Sequence, residues 1–126
     1  MKKLINFVIY TSISFLVFTN CKKNQLGGNA SLKGSIIHHS KPIPNSKIYI
    51  KLNTTEFPGA DSTIYDCYVQ ADANGNYTIP FYKGSYYVYA IGRDLDIAYP
   101  YLVKGGLSVS LRNREILNKN IAVTED

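Results

Sequence analysis

From residue 30 onward, apolar side chains recur at every second position, and no stretch repeats at the helical period. Leu32, Gly34 and Ile36 alternate with Lys33 and Ser35, and Ile48, Ile50 and Leu52 with Lys47, Tyr49 and Lys51. Tyr65, Cys67, Val69 and Ala71 alternate with Asp66, Tyr68, Gln70 and Asp72, and Tyr77 and Ile79 with Asn76 and Thr78. Leu107, Val109 and Leu111 alternate with Ser108, Ser110 and Arg112. Successive side chains of a strand point to opposite faces, so each pattern describes a strand with one face on a core and one in water. Tyr86 to Ile91 is apolar on both faces, as in a central strand or one with an aromatic outer face. Breaks fall at Lys41-Pro42-Ile43-Pro44-Asn45, Asp72-Ala73-Asn74-Gly75, Lys83-Gly84-Ser85, Lys104-Gly105-Gly106 and Asn113 to Asn118, before a last strand through Ile121 and Val123. About seven short strands with turns between them predict an all-β, antiparallel Greek-key β-sandwich over residues 30–126.

The start of the chain has a different logic. Lys2 and Lys3 precede a mostly apolar stretch, Leu4 to Phe18, and then Thr19-Asn20-Cys21. A positive start, a short apolar run and a cysteine make the plan of a bacterial lipoprotein export signal. Asn6, Thr11, Ser12 and Ser14 interrupt the run, whereas a membrane span needs ~20 apolar residues. Phe18-Thr19-Asn20-Cys21 resembles a lipobox, although Phe18 is large and Asn20 polar. The organisation expected is a signal peptide over 1–20, a lipidated flexible tether over 21–29 with lipid on Cys21, and one domain over 30–126. Acyl chains gain ~0.8 kcal/mol per buried methylene, enough to anchor a protein without a transmembrane helix. The expected location is the cell envelope, as an outer-membrane lipoprotein facing the periplasm or the exterior. With Cys21 acylated, Cys67 is expected to be a buried, inert thiol.

The chain carries a net charge of +5, and loss of Lys2 and Lys3 with the leader lowers it to +3. No Lys/Arg run exceeds Lys22-Lys23, so the clustered stripe of a nucleic-acid footprint is missing and no nucleic-acid partner is expected.

Four segments carry a resemblance to a known family: Leu32-Lys33-Gly34-Ser35-Ile36; Lys41-Pro42-Ile43-Pro44-Asn45-Ser46-Lys47-Ile48-Tyr49-Ile50; Asp72-Ala73-Asn74-Gly75-Asn76-Tyr77-Thr78-Ile79; and Lys83-Gly84-Ser85-Tyr86-Tyr87-Val88-Tyr89-Ala90. Together they resemble the carboxypeptidase regulatory-like domain, a transthyretin-like (prealbumin-like), Ig-like sandwich. The resemblance implies a structural or binding module with no chemistry and no cofactor of its own. The residues support a folding role without it. Gly34 lies mid-strand, where a bulge or a neighbouring backbone would need it. Asp72 can accept hydrogen bonds within its own turn.

The chemistry-bearing residues are few. Asp72, Asn74 and Gly75 belong to a structural turn, because the EF-hand positions for Gly and Glu hold Tyr77 and Lys83. His38 and His39 are adjacent, so on a regular strand they face apart and cannot share an ion without a kink; no metal site is expected. Asp94 and Asp96 are expected in an exposed loop with Arg93 as a ready partner. Tyrosine is in excess, eleven against five Phe and no Trp. Tyr49, Tyr68, Tyr87 and Tyr89 fall on the outward phase and could form an aromatic strip for a glycan or a protein partner, which Tyr99-Pro100-Tyr101 would extend. The expectation is therefore a non-enzymatic envelope lipoprotein that binds an envelope protein or, alternatively, carbohydrate through those tyrosines.

Overall fold

The computed structural model describes residues 26–125. The leader and Cys21 lie outside them. The described residues form an all-β sandwich of two sheets. The strands are β1 (Ala30–His38), β2 (Lys41–Pro42), β3 (Lys47–Leu52), β4 (Cys67–Gln70), β5 (Asn76–Phe81), β6 (Gly84–Arg93), β7 (Leu102–Leu111), β8 (Ile116–Asn118) and β9 (Ile121–Ala122). One sheet is built on β1, which pairs antiparallel with β2 and β5 and parallel with β8 and β9. The other runs β4-β3-β6-β7, all antiparallel. No helix among the described residues is long and apolar enough to cross a membrane.

The alternation sorts side chains as expected. Leu32, Ile36, Ile79 and Phe81 of the first sheet meet Ile48, Ile50, Val88, Ala90, Val109 and Leu111 of the second, all buried. Tyr86, Val88 and Ala90 point inward from β6, one of the two inner strands of its sheet. Each large aliphatic or aromatic side chain taken out of water contributes ~1.5–3 kcal/mol, and together these hold the sheets face to face.

The seven expected strands are present, and β2 and β8 are additional short pieces inside two segments expected as connections. Lys104-Gly105-Gly106, expected as a break, instead lies within β7, where Gly105 lets the Ala122 carbonyl approach and Gly106 makes room for the Tyr87 ring. The parallel pairing of β8 and β9 was not legible in the alternation. Both follow β1, but Lys119 and Asn120 bulge between them. Lys119 N–H donates to the Lys33 carbonyl at 2.8 Å, and the Asn120 side-chain oxygen accepts from Ser35 N–H at 3.0 Å. This bulge is the close backbone approach that Gly34 serves: a Cβ there would overlap the Lys119 carbonyl. The Tyr77 hydroxyl donates to that same carbonyl and holds it in place.

Three expectations need correction. Cys67 is buried opposite Ile50, but it is disulfide-bonded and not an inert thiol. Tether residues 26–29 are already docked: Leu26 packs against the core, Gly27 N–H donates to the Pro80 carbonyl at 3.2 Å, and the Asn29 side chain accepts from Arg114 N–H at 3.2 Å. Tyr65 does not share the inward phase of Cys67. β4 begins only at Cys67, and a 3-10 turn over Ser62–Ile64 resets the direction of the side chain before it.

Candidate functional site

The outward face of the β4-β3-β6-β7 sheet carries the four tyrosines singled out in the sequence. Register places Tyr68, Tyr49 and Tyr89 in one cross-strand row, with Tyr87 opposite Lys51 one step along β6. The rings of Tyr49 and Tyr68 lie 5.6 Å apart, and Lys47 Nζ sits 5.0 Å from the centre of the Tyr68 ring. Such cross-strand aromatic pairs stiffen a sheet whether or not they bind anything.

The connection between β3 and β4 folds over this row. Tyr65 stacks on Tyr89 with centroids 5.8 Å apart and planes 10° from parallel, and it contacts Tyr49 at 6.0 Å. Phe57 contacts Tyr87 at 5.6 Å and Tyr89 at 5.4 Å. The Tyr65 hydroxyl donates to the Gly59 carbonyl at 2.9 Å and ties the loop to itself. Tyr89 is therefore only 6% exposed, against the open strip expected, while Tyr49, Tyr68 and Tyr87 remain half-buried. Neither Tyr65 nor Tyr89 belongs to the inter-sheet core, so the face carries a second apolar cluster of its own. Tyr99 and Tyr101 pack edge to face on each other in the β6–β7 loop.

Burial has an electrostatic consequence here. It pushes the phenol of Tyr65 well above the usual tyrosine range, an effect increased by Tyr87 and Tyr89, and it raises Tyr87 and Tyr89 themselves. Tyr77 and Tyr86 in the inner core are raised for the same reason. A phenol whose folded pKa exceeds its unfolded value of 10.0 contributes stability that is complete below that pH and is lost as pH rises through the folded pKa. Chemical unfolding should therefore give a midpoint that does not respond to these phenols until about pH 10 and falls beyond it. Phenolate absorbance from the buried rings should rise together with loss of the β-sheet circular dichroism signal, and Tyr65→Phe should make the fall of the midpoint above about pH 10 shallower. Ionisation of every tyrosine within an intact sheet would contradict the packing.

The Asp72 turn is structural. Asp72 Oδ1 accepts from Asn74 N–H and Asn76 N–H, each at 2.9 Å, and Gly75 takes a φ of 78°. The Asp72 carbonyl also accepts from Asn45 N–H at 3.0 Å, which secures the preceding loop.

A polar cluster at the other end of β1 departs from expectation. Asp94 is 3% exposed, and its partners are Lys41 and His38, not Arg93. Asp94 Oδ1 accepts from Lys41 Nζ at 2.5 Å and from Asp96 N–H at 3.0 Å, and Oδ2 lies 2.6 Å from His38 Nδ1. Lys41 also bonds the carboxylate of Asp96, which is exposed. The Lys41 ammonium, the His38 ring and the Asp96 N–H hold the Asp94 carboxyl well below the usual range, while Asp94 and then Asp96 raise Lys41. The cluster exists because β1 turns back through only His39 and Ser40, with φ of 50° and 63°. Left-handed geometry at both positions is that of a two-residue hairpin turn. It swings the His39 ring to within 4.0 Å of the His38 ring, centroid to centroid, and so supplies the kink that a regular strand lacks.

No family model matches the chain, and no curated protein matches it either.

Proposed function

We propose that this protein is a cell-envelope lipoprotein, held on a membrane by lipid at Cys21, whose β-sandwich is a non-enzymatic structural or protein-binding module. The observation that carries the reading is the order of parts: a basic start, a short apolar run and a cysteine, then a single sandwich that begins at Ala30. The resemblance to carboxypeptidase regulatory-like domains supports a module without chemistry. The disulfide at Cys67 opposes the lipid anchor and not the module, because the chain has two cysteines and a lipid thioether at Cys21 excludes an intramolecular disulfide. Intact mass under non-reducing conditions separates the two states, since acylation adds the mass of the lipid and a disulfide removes two hydrogens.

In the native host, the protein is expected in the membrane fraction, resistant to high salt and released by detergent. Cys21→Ala should move it to the soluble fraction. Membrane association unchanged in Cys21→Ala would refute the anchor. Co-purification from detergent with one envelope protein would support the binding role.

Carbohydrate binding is the second reading, favoured by the half-exposed Tyr49 and Tyr68 rings beside Lys47. A ring face with a polar tip can stack on a sugar. Glycan retention lost in Tyr68→Ala is the result this reading requires.

A further inference from the structure

We propose that the end of β1 and the last described residues form a binding site for one divalent transition-metal ion of zinc's class, with His38 Nε2, His39 Nε2 and Glu125 Oε1 as ligands. One ligand atom from each of the three residues lies within 4.8 Å of the other two. Glu125 Oε1 stands 3.4 Å from His38 Nε2 and 3.5 Å from His39 Nε2. Both separations exceed the ~2.7–3.2 Å of an N–H···O hydrogen bond, so the carboxylate sits between the two rings within ion-pair range of each and without a hydrogen bond of ordinary length to either. They agree with the edge of a tetrahedron around zinc, about 3.4 Å for metal–ligand bonds of ~2.0–2.1 Å.

The arrangement around His38 points the same way. One oxygen of the Asp94 carboxylate is taken by the Lys41 ammonium and the other faces His38 Nδ1, so the carboxylate accepts from the ring. At 2.6 Å that contact places the donor on Nδ1, and Nε2 is the ring nitrogen turned toward Glu125 and His39. A buried carboxylate that fixes the tautomer of a histidine is the usual outer support of a metal-ligating imidazole. Asp94 is thus a positioning residue and not a ligand.

Each ligand is placed by a separate piece of backbone. His38 ends β1 and His39 opens the left-handed turn. Glu125 is delivered by the chain beyond β9: Val123 N–H donates to the Ile37 carbonyl at 3.0 Å, and Thr124 exchanges two backbone bonds of 2.8 Å with Lys104 of β7. The left-handed conformation costs a residue with a Cβ roughly 1–2 kcal/mol, and neither His39 nor Ser40 is the glycine that would avoid it. Access is open, since the His39 side chain is 77% exposed and that of Glu125 50%, while His38 is buried. Two imidazoles and one carboxylate suit zinc, copper or nickel and not the all-oxygen preference of calcium or magnesium. Three protein ligands leave a fourth position to water.

The test is titration of the full chain, stripped with chelator, by Zn2+ alone against a competing chromophoric indicator. One equivalent is expected to bind, with the His38 and His39 imidazole resonances shifting together. His39→Ala and Glu125→Gln should each weaken binding at least ~10-fold, the effect already typical of losing an outer-shell partner. Both side chains are exposed enough that the variants keep the wild-type unfolding midpoint, which is measured alongside. Absence of saturable binding below roughly 0.1 mM would overturn the site. So would an affinity untouched by either substitution. Loss in only one of the two variants would refute the three-ligand set.

Discussion

Gly34→Val is expected to prevent the chain from closing its first sheet, and Gly34→Ala to cost more than about 4 kcal/mol, at the far end of the range for single substitutions. The reason is a backbone wall and not a side-chain neighbour. A Cβ at residue 34 would overlap the Lys119 carbonyl, and the Tyr77 hydroxyl lies 3.0 Å from the same point. The wall cannot retreat cheaply. Lys119 N–H is bonded to Lys33, its carbonyl accepts from Tyr77, and Asn120 is bonded to Ser35 N–H. Displacing the bulge would break the register of β8 at Ser31–Lys33 and of β9 at Ile36–Ile37. A domain of this size has only ~5–15 kcal/mol to lose. Urea unfolding checks this, with Lys33→Ala as a neighbour whose exposed side chain should shift stability by no more than ~0.5 kcal/mol. A midpoint for Gly34→Ala equal to that of Lys33→Ala would mean that the 118–121 segment does not cross here.

The sandwich was legible because its cause is local. A strand that buries one face writes the burial into its own alternation, so the inward faces of β1, β3, β5, β6 and the second half of β7 are legible residue by residue, whereas the two glycines at Gly105 and Gly106 make the first half of β7 look like a turn. What escaped depends on partners distant in sequence. Asp94 looked like a solvated loop residue beside Arg93, but its ammonium partner is Lys41, 53 positions earlier. The alternation of β4 does not extend back to Tyr65, because a 3-10 turn with Asp61 as its N-cap intervenes. Strand geometry would hold His38 and His39 apart, but the strand ends at His38 and His39 already has left-handed backbone. A signal was present there: the alternation stops at His38 and a proline follows at Pro42, which leaves room for only a short reversal. The third member of that group, Glu125, offered none, because its place follows from the parallel pairing of β9, and parallel neighbours leave no turn to read.

Tyr65→Ala should destabilise the protein by ~3 kcal/mol, the lower end of the range for truncating a buried aromatic, because part of the ring's surroundings is a surface loop that can settle. Tyr65→Phe should cost only ~1 kcal/mol, the worth of the hydrogen bond to the Gly59 carbonyl. The difference measures the stacking of Tyr65 on Tyr89 and Tyr49. Damage should stay on the outer face. Tyr65 and Tyr89 lie outside the inter-sheet core, so the alanine variant should keep its β-sheet circular dichroism while residues 53–66 become the first site of proteolytic cleavage. Equal losses in the two variants would mean that the loop is not held by its ring. The same variant bears on what the face is for. If sugar stacks on the tyrosine row beneath the loop, removing Tyr65 uncovers Tyr89 and retention on glycan rises. If the loop itself is the contact surface for a protein partner, Tyr65→Ala weakens that partnership and leaves glycan retention where it was. The sheet places the aromatics in a row, and Tyr65 determines how much of that row meets solvent.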